Sequence, residues 1–275
     1  MTVALRFGLP SGGDAELAAL VMTCVAAGVA VVAALVEPGA HTLGDADDLV
    51  LFALAGLIAP GASQVFFTRA VRDAGPSRAS VVVGSAPLFA VAIAIPVLGE
   101  PISPPLLLGA LLIVLAGAIL ASEPKRPSHF RAIGIVSAVI CTLLFSTRDN
   151  LVRHLADDST THPLAAAAIA LGVAALAMVL YGLVVHRGAL PAALAPLPRR
   201  PLALAGLFFG LSYVCLFEAY YRARVSVVSP LVATESLWGV LFSALFLRSS
   251  EVVGARLFVG AVLVVSGGIL IGVFR

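Results

Sequence analysis

Apolar runs of about 20 residues, each closed off by charge, glycine or proline, recur along the whole chain. They fall at 17–36, 49–70, 79–98, 103–121 and 132–155, and again at 164–185, 202–221, 225–247 and 252–274. These runs are generally too long for strands and lack the apolar–polar alternation of an outer-membrane barrel. A backbone in lipid has to satisfy its own hydrogen bonds, so each run predicts a membrane-spanning helix, nine in all. The fifth is the weakest, apolar only over 132–145 before Ser146, Thr147, Arg148, Asp149 and Asn150 interrupt it. Connections are short and punctuated by Glu100-Pro101, Pro104-Pro105, Glu123-Pro124 and Pro198-Arg199-Arg200.

Composition agrees with that pattern and narrows the function classes. The 275 residues are 60% hydrophobic and 12% charged. Ordinary soluble domains are about half apolar and a quarter charged, so a cytosolic enzyme with a polar surface is excluded. A net charge of +2 without a large Lys/Arg cluster gives no footprint for a nucleic-acid partner. Cys24, Cys141 and Cys215 lie far apart in apolar stretches without metal or C-x-x-C spacing, and read as small packing residues. No cofactor or metal is implied. The stretch 1–13 has no apolar core of the length a cleavable signal peptide needs.

An internal repeat organises the runs. Glu100, Gly109 and Gly117 recur at the same spacing as Glu251, Gly260 and Gly268, shifted by 151 residues. Gly56 and Gly206, and Arg72 and Arg222, are related by 150. A tandem duplication follows, with halves at 1–122 and 132–275. Five spans separate each residue from its counterpart. Five is odd, so equivalent helices cross the membrane in opposite directions and the repeat is inverted. Many secondary transporters are built this way, with a site near the midplane and access alternating as one half rocks against the other. Simple enlargement of a bundle is the alternative.

Particular residues carry a family resemblance. Ser77-Arg78-Ala79-Ser80 through Ser85-Ala86-Pro87-Leu88-Phe89 to Leu98-Gly99-Glu100 and Gly109 is similar to the third to fifth helices of the EamA-type drug/metabolite transporter superfamily. The second half repeats it from Val225-Ser226 through Ser229-Pro230-Leu231 and Glu235-Ser236-Leu237-Trp238 to Glu251 and Gly260. The resemblance implies ten helices in two five-helix repeats, a central cavity lined from both halves, and movement of small metabolites. This chain departs from it in Glu235-Ser236-Leu237, where Glu-Pro-Leu is usual, and in Ser250-Glu251 for Gly-Glu. By this resemblance the first family helix is expected to be missing, with only its tail at Ala4-Leu5-Arg6-Phe7-Gly8-Leu9, giving 4+5 helices of an expected 5+5.

Charges inside apolar spans are the candidate chemistry, because a lone charge at a helix centre in lipid costs about 2.5–3.5 kcal/mol and normally faces a cavity or partner. Glu235 lies ten residues into its span, as a structural anchor or a proton- or substrate-coupling group. Glu218 stands one turn before Arg222, which suits an i,i+4 ion pair, though a place at a cavity mouth stays open. Arg148 and Asp149 are adjacent and point to different helix faces, so they are not expected to neutralise each other; Arg148 either snorkels to the interface or meets an ionic partner. Arg69, with Gln64 and Thr68 one turn back, is expected to snorkel. Pro87 and Pro230 are expected to break or kink their helices. Tyr213 and Trp238 are candidate cavity aromatics, and Tyr220 and Tyr221 candidate interfacial anchors. Gly109, Gly117, Gly260 and Gly268 are expected to let helices approach closely.

Enzyme readings are weak. Asp45-Ala46-Asp47-Asp48 is one acidic motif without a second, and fits a helix N-terminal cap. A membrane enzyme acting on lipid phosphates, or a membrane protein that only binds partners, is the alternative to transport. Of the 17 Lys and Arg, twelve fall on one membrane face and five on the other, which puts the N-terminus in the cytoplasm; the intact family pattern would reverse that. The expectation is an all-α integral protein of the plasma membrane, a multi-pass secondary transporter. Its partners are a small-molecule solute and the lipid bilayer, with a homodimer open.

Overall fold

The computed structural model describes residues 1–9, 13–40, 42–89, 92, 103–121, 130–223, 228, 231–247 and 254–273, the side chains of 121, 157 and 158 excepted. Every regular element among them is helical. In order they are α1 (Thr2–Gly8), α2 (Ala15–Val36), α3 (Ala46–Gly56), α4 (Ser63–Ala74), α5 (Pro76–Val83), α6 (Pro104–Ala121), α7 (Ala132–Asp158), α8 (Pro163–Val185), α9 (Leu190–Leu194), α10 (Arg199–Arg222), α11 (Glu235–Phe246) and α12 (Ala255–Val273). Among the described residues, six stretches are long and apolar enough to cross a membrane: Ala15–Val36, Ala46–Ala74, Ala132–Ala156, Pro163–Val185, Arg199–Arg222 and Ala255–Val273. Pro104–Leu120 and Leu231–Phe246 are shorter apolar helices. Most of the run at 79–98 lies outside the described residues.

Helix ends follow local chemistry. The Asp14 carboxylate accepts from the Glu16 and Leu17 amides at 2.9 and 3.1 Å, so α2 begins before its apolar run. At α8, His162 Nδ1 accepts from the Leu164 amide and Pro163 takes the first turn, where its missing N–H costs nothing. The polar interruption in the fifth run does not break α7. Thr142 and Thr147 return their hydroxyl protons to the carbonyls four residues back, at 2.7 and 2.9 Å, and Ser146 donates to the Ala86 carbonyl at 3.0 Å. Hydroxyls satisfied in this way stay compatible with a helix in an apolar setting.

The second run does break. Between α3 and α4 lies a wide helical turn, Leu57–Ala62, in which Ala59 leaves helical geometry at φ −147° and ψ 116°, immediately before Pro60. Proline disfavours helical geometry in the residue ahead of it, and Pro60 supplies no amide to the ladder.

The described chain forms two compact units, each drawing on both repeats. The first comprises Val3–Thr68 and Arg148–Arg222, and the second Arg69–Thr147 and Ala223–Arg275. In the first unit α2 packs on α8 and α10, and α3 packs on α8. In the second, α6 packs on α12 and α5 on α11. Repeat-equivalent helices run antiparallel within each unit. On α6 and α12, Gly109 meets Ile271, Ile113 meets Gly267 and Ala116 meets Gly260, so one sequence rises as the other falls. On α2 and α8, the first turns of one meet the last turns of the other: the Tyr181 hydroxyl donates to Glu16 at 3.3 Å, and Leu20 lies against Gly182.

Two repeat-related glycines set the close approaches in the first unit. A Cβ added at Gly56 would fall inside the Ala170 backbone on α8, and one at Gly206 would lie 2.8 Å from the Met22 carbonyl on α2. Without side chains, both positions let backbone touch backbone.

Candidate functional site

A buried polar cluster stands in the first unit, where α7 and α10 face the break at Ala59. Arg148 is 3% exposed, and its Nε donates to Asp149 Oδ1 at 2.7 Å. Two expectations are corrected here. Neighbouring side chains on a helix diverge by about 100°, yet the long Arg148 side chain spans that divergence and the pair does neutralise itself. Nor does Arg148 snorkel: its guanidinium sits over the Tyr213 ring, 4.7 Å from the centroid.

Tyr213 links the cluster to the broken helix by donating its hydroxyl proton to the Ala59 carbonyl. The departure of Ala59 from helical angles frees that carbonyl for a side-chain donor. On α10 the ring is flanked one turn either way by Phe209, edge-on at 5.4 Å, and Phe217, stacked at 5.4 Å; Phe52 of α3 lies 6.5 Å beyond Phe217. Tyr220, two turns past Tyr213, lies beside the Asp149 carboxylate. Its own carbonyl accepts from Arg153 Nη1 at 2.9 Å. At 1% exposure Tyr220 is no interfacial anchor, because its ring and hydroxyl are packed inside the unit, away from water. Tyr221 is half-buried.

The same unit buries Thr23, Ser63 and Gln64 completely, and their side-chain oxygens, with the Gln64 amide nitrogen, have no hydrogen-bond partner among the described residues. A buried amide left unmade costs about 1–3 kcal/mol, so these groups are apt to meet water or a solute. Sequence reasoning missed Thr23 and Ser63 and noticed Gln64 only beside Arg69, since uncharged polar residues hardly disturb hydropathy. It also passed over the Ala59-Pro60-Gly61 break, whose proline inside an apolar run was the available signal.

Glu235 and Trp238 belong to the second unit. The chain turns at Thr234, whose hydroxyl donates to the Leu231 carbonyl at 2.6 Å, and Glu235 opens α11. Its carboxylate therefore occupies the first turn of α11, where the helix dipole favours negative charge, within the apolar helical stretch Leu231–Phe246 that turns at Thr234. Trp238 is 54% exposed and stacks on Phe242 at 5.9 Å, with Phe246 one turn further. Arg69 is half-buried. Glu218 and Arg222 make the expected ion pair at 2.6 Å, the arginine largely exposed. Pro87 is buried in the helical stretch just beyond the turn at Gly84 and Ser85, against Gly268; Pro230 lies outside the described residues. Asp47 and Asp48 occupy the first turn of α3. Gly109 makes the expected close approach, whereas Gly117 does not, since a Cβ there meets nothing within 4 Å.

Long apolar helices arranged as two antiparallel repeats, with charge buried among them, define a multi-pass helical membrane protein. The model of the EamA-like transporter family matches residues 2–122 and again 132–273. The chain belongs to that family of drug and metabolite transporters, and is a membrane transporter. Its fold is similar to that in a crystal structure of a protein 20% identical, over 99% of this chain and 93% of the other, with a TM-score of 0.60. No curated protein matches in sequence.

Proposed function

We propose that the protein is a secondary transporter of the plasma membrane that moves a small polar metabolite by alternating access between its two inverted repeats. The antiparallel course of repeat-equivalent helices, seen separately in α6 with α12 and in α2 with α8, carries this reading. A two-fold relation of that kind supplies two exchangeable arrangements of nearly equal energy, which alternating access needs.

Two positions serve the solute and its coupling. The Arg148–Asp149 pair on its aromatic wall offers a donor fork and an acceptor already withdrawn from water. A solute with matching groups exchanges into that pair at less desolvation cost than at a solvated one. Glu235, at a helix start inside an apolar segment, couples movement to a proton or to the solute.

The test is solute counterflow in liposomes holding the purified full-length protein, screened over small metabolites, with Glu235→Gln and Arg148→Lys beside the wild type. Glu235→Gln is expected to abolish flux while the protein still inserts and keeps its thermal midpoint. Arg148→Lys, which keeps charge but loses the planar fork, is expected to raise the half-saturating solute concentration. Unchanged flux in Glu235→Gln removes that residue from the mechanism, and the absence of counterflow for every solute overturns the transport reading.

A further inference from the structure

The first unit carries a groove of about 460 Å³, open along one side. It lies between Val21 and Val25 of α2, Leu194 and Leu197 of the connection that holds α9, and Arg199 and Ala203 of α10. It shares no residue with the Arg148–Asp149 cluster. One end is closed where α10 touches α2, since a Cβ on Gly206 would lie 2.8 Å from that of Val25. The other end is Arg199, the first residue of α10, about 10 Å away at 1.5 Å per residue. The wall beside α9 is anchored: Leu190 is buried against Leu17, Leu20 and Met178, and Leu194 and Leu197 pack on the same cluster.

Arg199 is the one charged side chain among the described residues that line the groove. It is exposed, and its guanidinium has no partner among the described residues. The connection 186–200 adds Arg187 and Arg200 and contains no Asp or Glu. The acids at the start of α2 are engaged elsewhere, Asp14 capping its own helix and Glu16 accepting from Tyr181 of α8.

We propose that this groove binds one anionic phospholipid of the surrounding bilayer, with an acyl chain along the apolar walls and the phosphate on Arg199. The open side lets the chain enter from the bilayer and leaves the rest of the lipid in it. Charge stands at a helix end, where headgroups lie, and the apolar walls lead from it toward the middle of α2 and α10. The guanidinium fork matches a phosphate, whereas a soluble anion would leave the apolar walls wet.

The experiment measures thermal unfolding and native mass spectra of the full-length protein in neutral detergent with dioleoylphosphatidylglycerol, dioleoylphosphatidylcholine or glycerol 3-phosphate added. Phosphatidylglycerol is expected to raise the unfolding midpoint and to form one-to-one adducts at about tenfold lower concentration than phosphatidylcholine. Glycerol 3-phosphate, a head without chains, is expected to do neither. Arg199→Gln is expected to remove the preference for the anionic lipid, and because the side chain is exposed the unliganded midpoint holds. Ala203→Leu fills the groove from a half-buried helix position and is expected to abolish the adducts with Arg199 in place. Equal binding of the two lipids by the wild type, an anionic preference that persists in Arg199→Gln, stabilisation by glycerol 3-phosphate, or adducts that survive Ala203→Leu overturns the site.

Discussion

Arg148 and Asp149 show how much a buried charge depends on its neighbour. Replacing a buried ion pair as a whole is often nearly neutral, whereas removing one partner strands the other and costs about 3–5 kcal/mol. Arg148→Gln and Asp149→Asn are therefore expected to be strongly destabilising singly and much less than additive together, as read by unfolding of the four forms in one detergent. Tyr213→Phe keeps the ring beneath the guanidinium but leaves the Ala59 carbonyl without its donor, for an expected loss of about 1–3 kcal/mol by the same measurement. Arg148, Asp149 and Tyr213 were legible as candidates because a charge, or a deep tyrosine, stands out in an apolar run. What they touch was not. Hydropathy gives no partner for Asp149, so Tyr220, near a helix end, looked like an anchor until the carboxylate beside it was placed.

Helices and their breaks show the same division. Existence and approximate ends of the long helices followed from apolar length alone, and α7 corrected the one doubtful case because its hydroxyls bond back to their own or a neighbouring backbone. Breaks were harder to read, since a turn costs only one or two hydrogen bonds and leaves the composition unchanged. Thr234 illustrates this: nothing in the hydropathy of the run marks the turn that the helical stretch Leu231–Phe246 makes there. Glycines split by what lies opposite them, which the sequence does not state. Gly206→Ala is expected to lower the thermal midpoint clearly, because its Cβ would meet the Met22 backbone at 2.8 Å. Gly28→Ala, with nothing within 4 Å, is expected to gain about 0.5–1 kcal/mol from lost unfolded-state freedom.

At the scale of the molecule, duplication was legible from the 150- and 151-residue spacings, and inversion from counting spans. The composition of the compact units was not, because which halves of the repeats pack together depends on side-chain fit over long sequence separations. A cross-linking experiment tests the inversion directly. With the three native cysteines replaced, Glu16→Cys and Tyr181→Cys are expected to couple through a short bis-thiol reagent, since their side chains meet where α2 starts and α8 ends. A parallel pairing would put the length of a helix between them and give no product. The exposed aromatic row on α11 has a use of a different kind. Trp238 is the single tryptophan of the chain and stands three residues after Glu235. All indole emission of the purified protein therefore comes from one position on that helix. Brominated acyl chains of graded depth would gauge how far it sits from the bilayer centre, and a spectral shift on adding solute would report motion of α11 without any attached label.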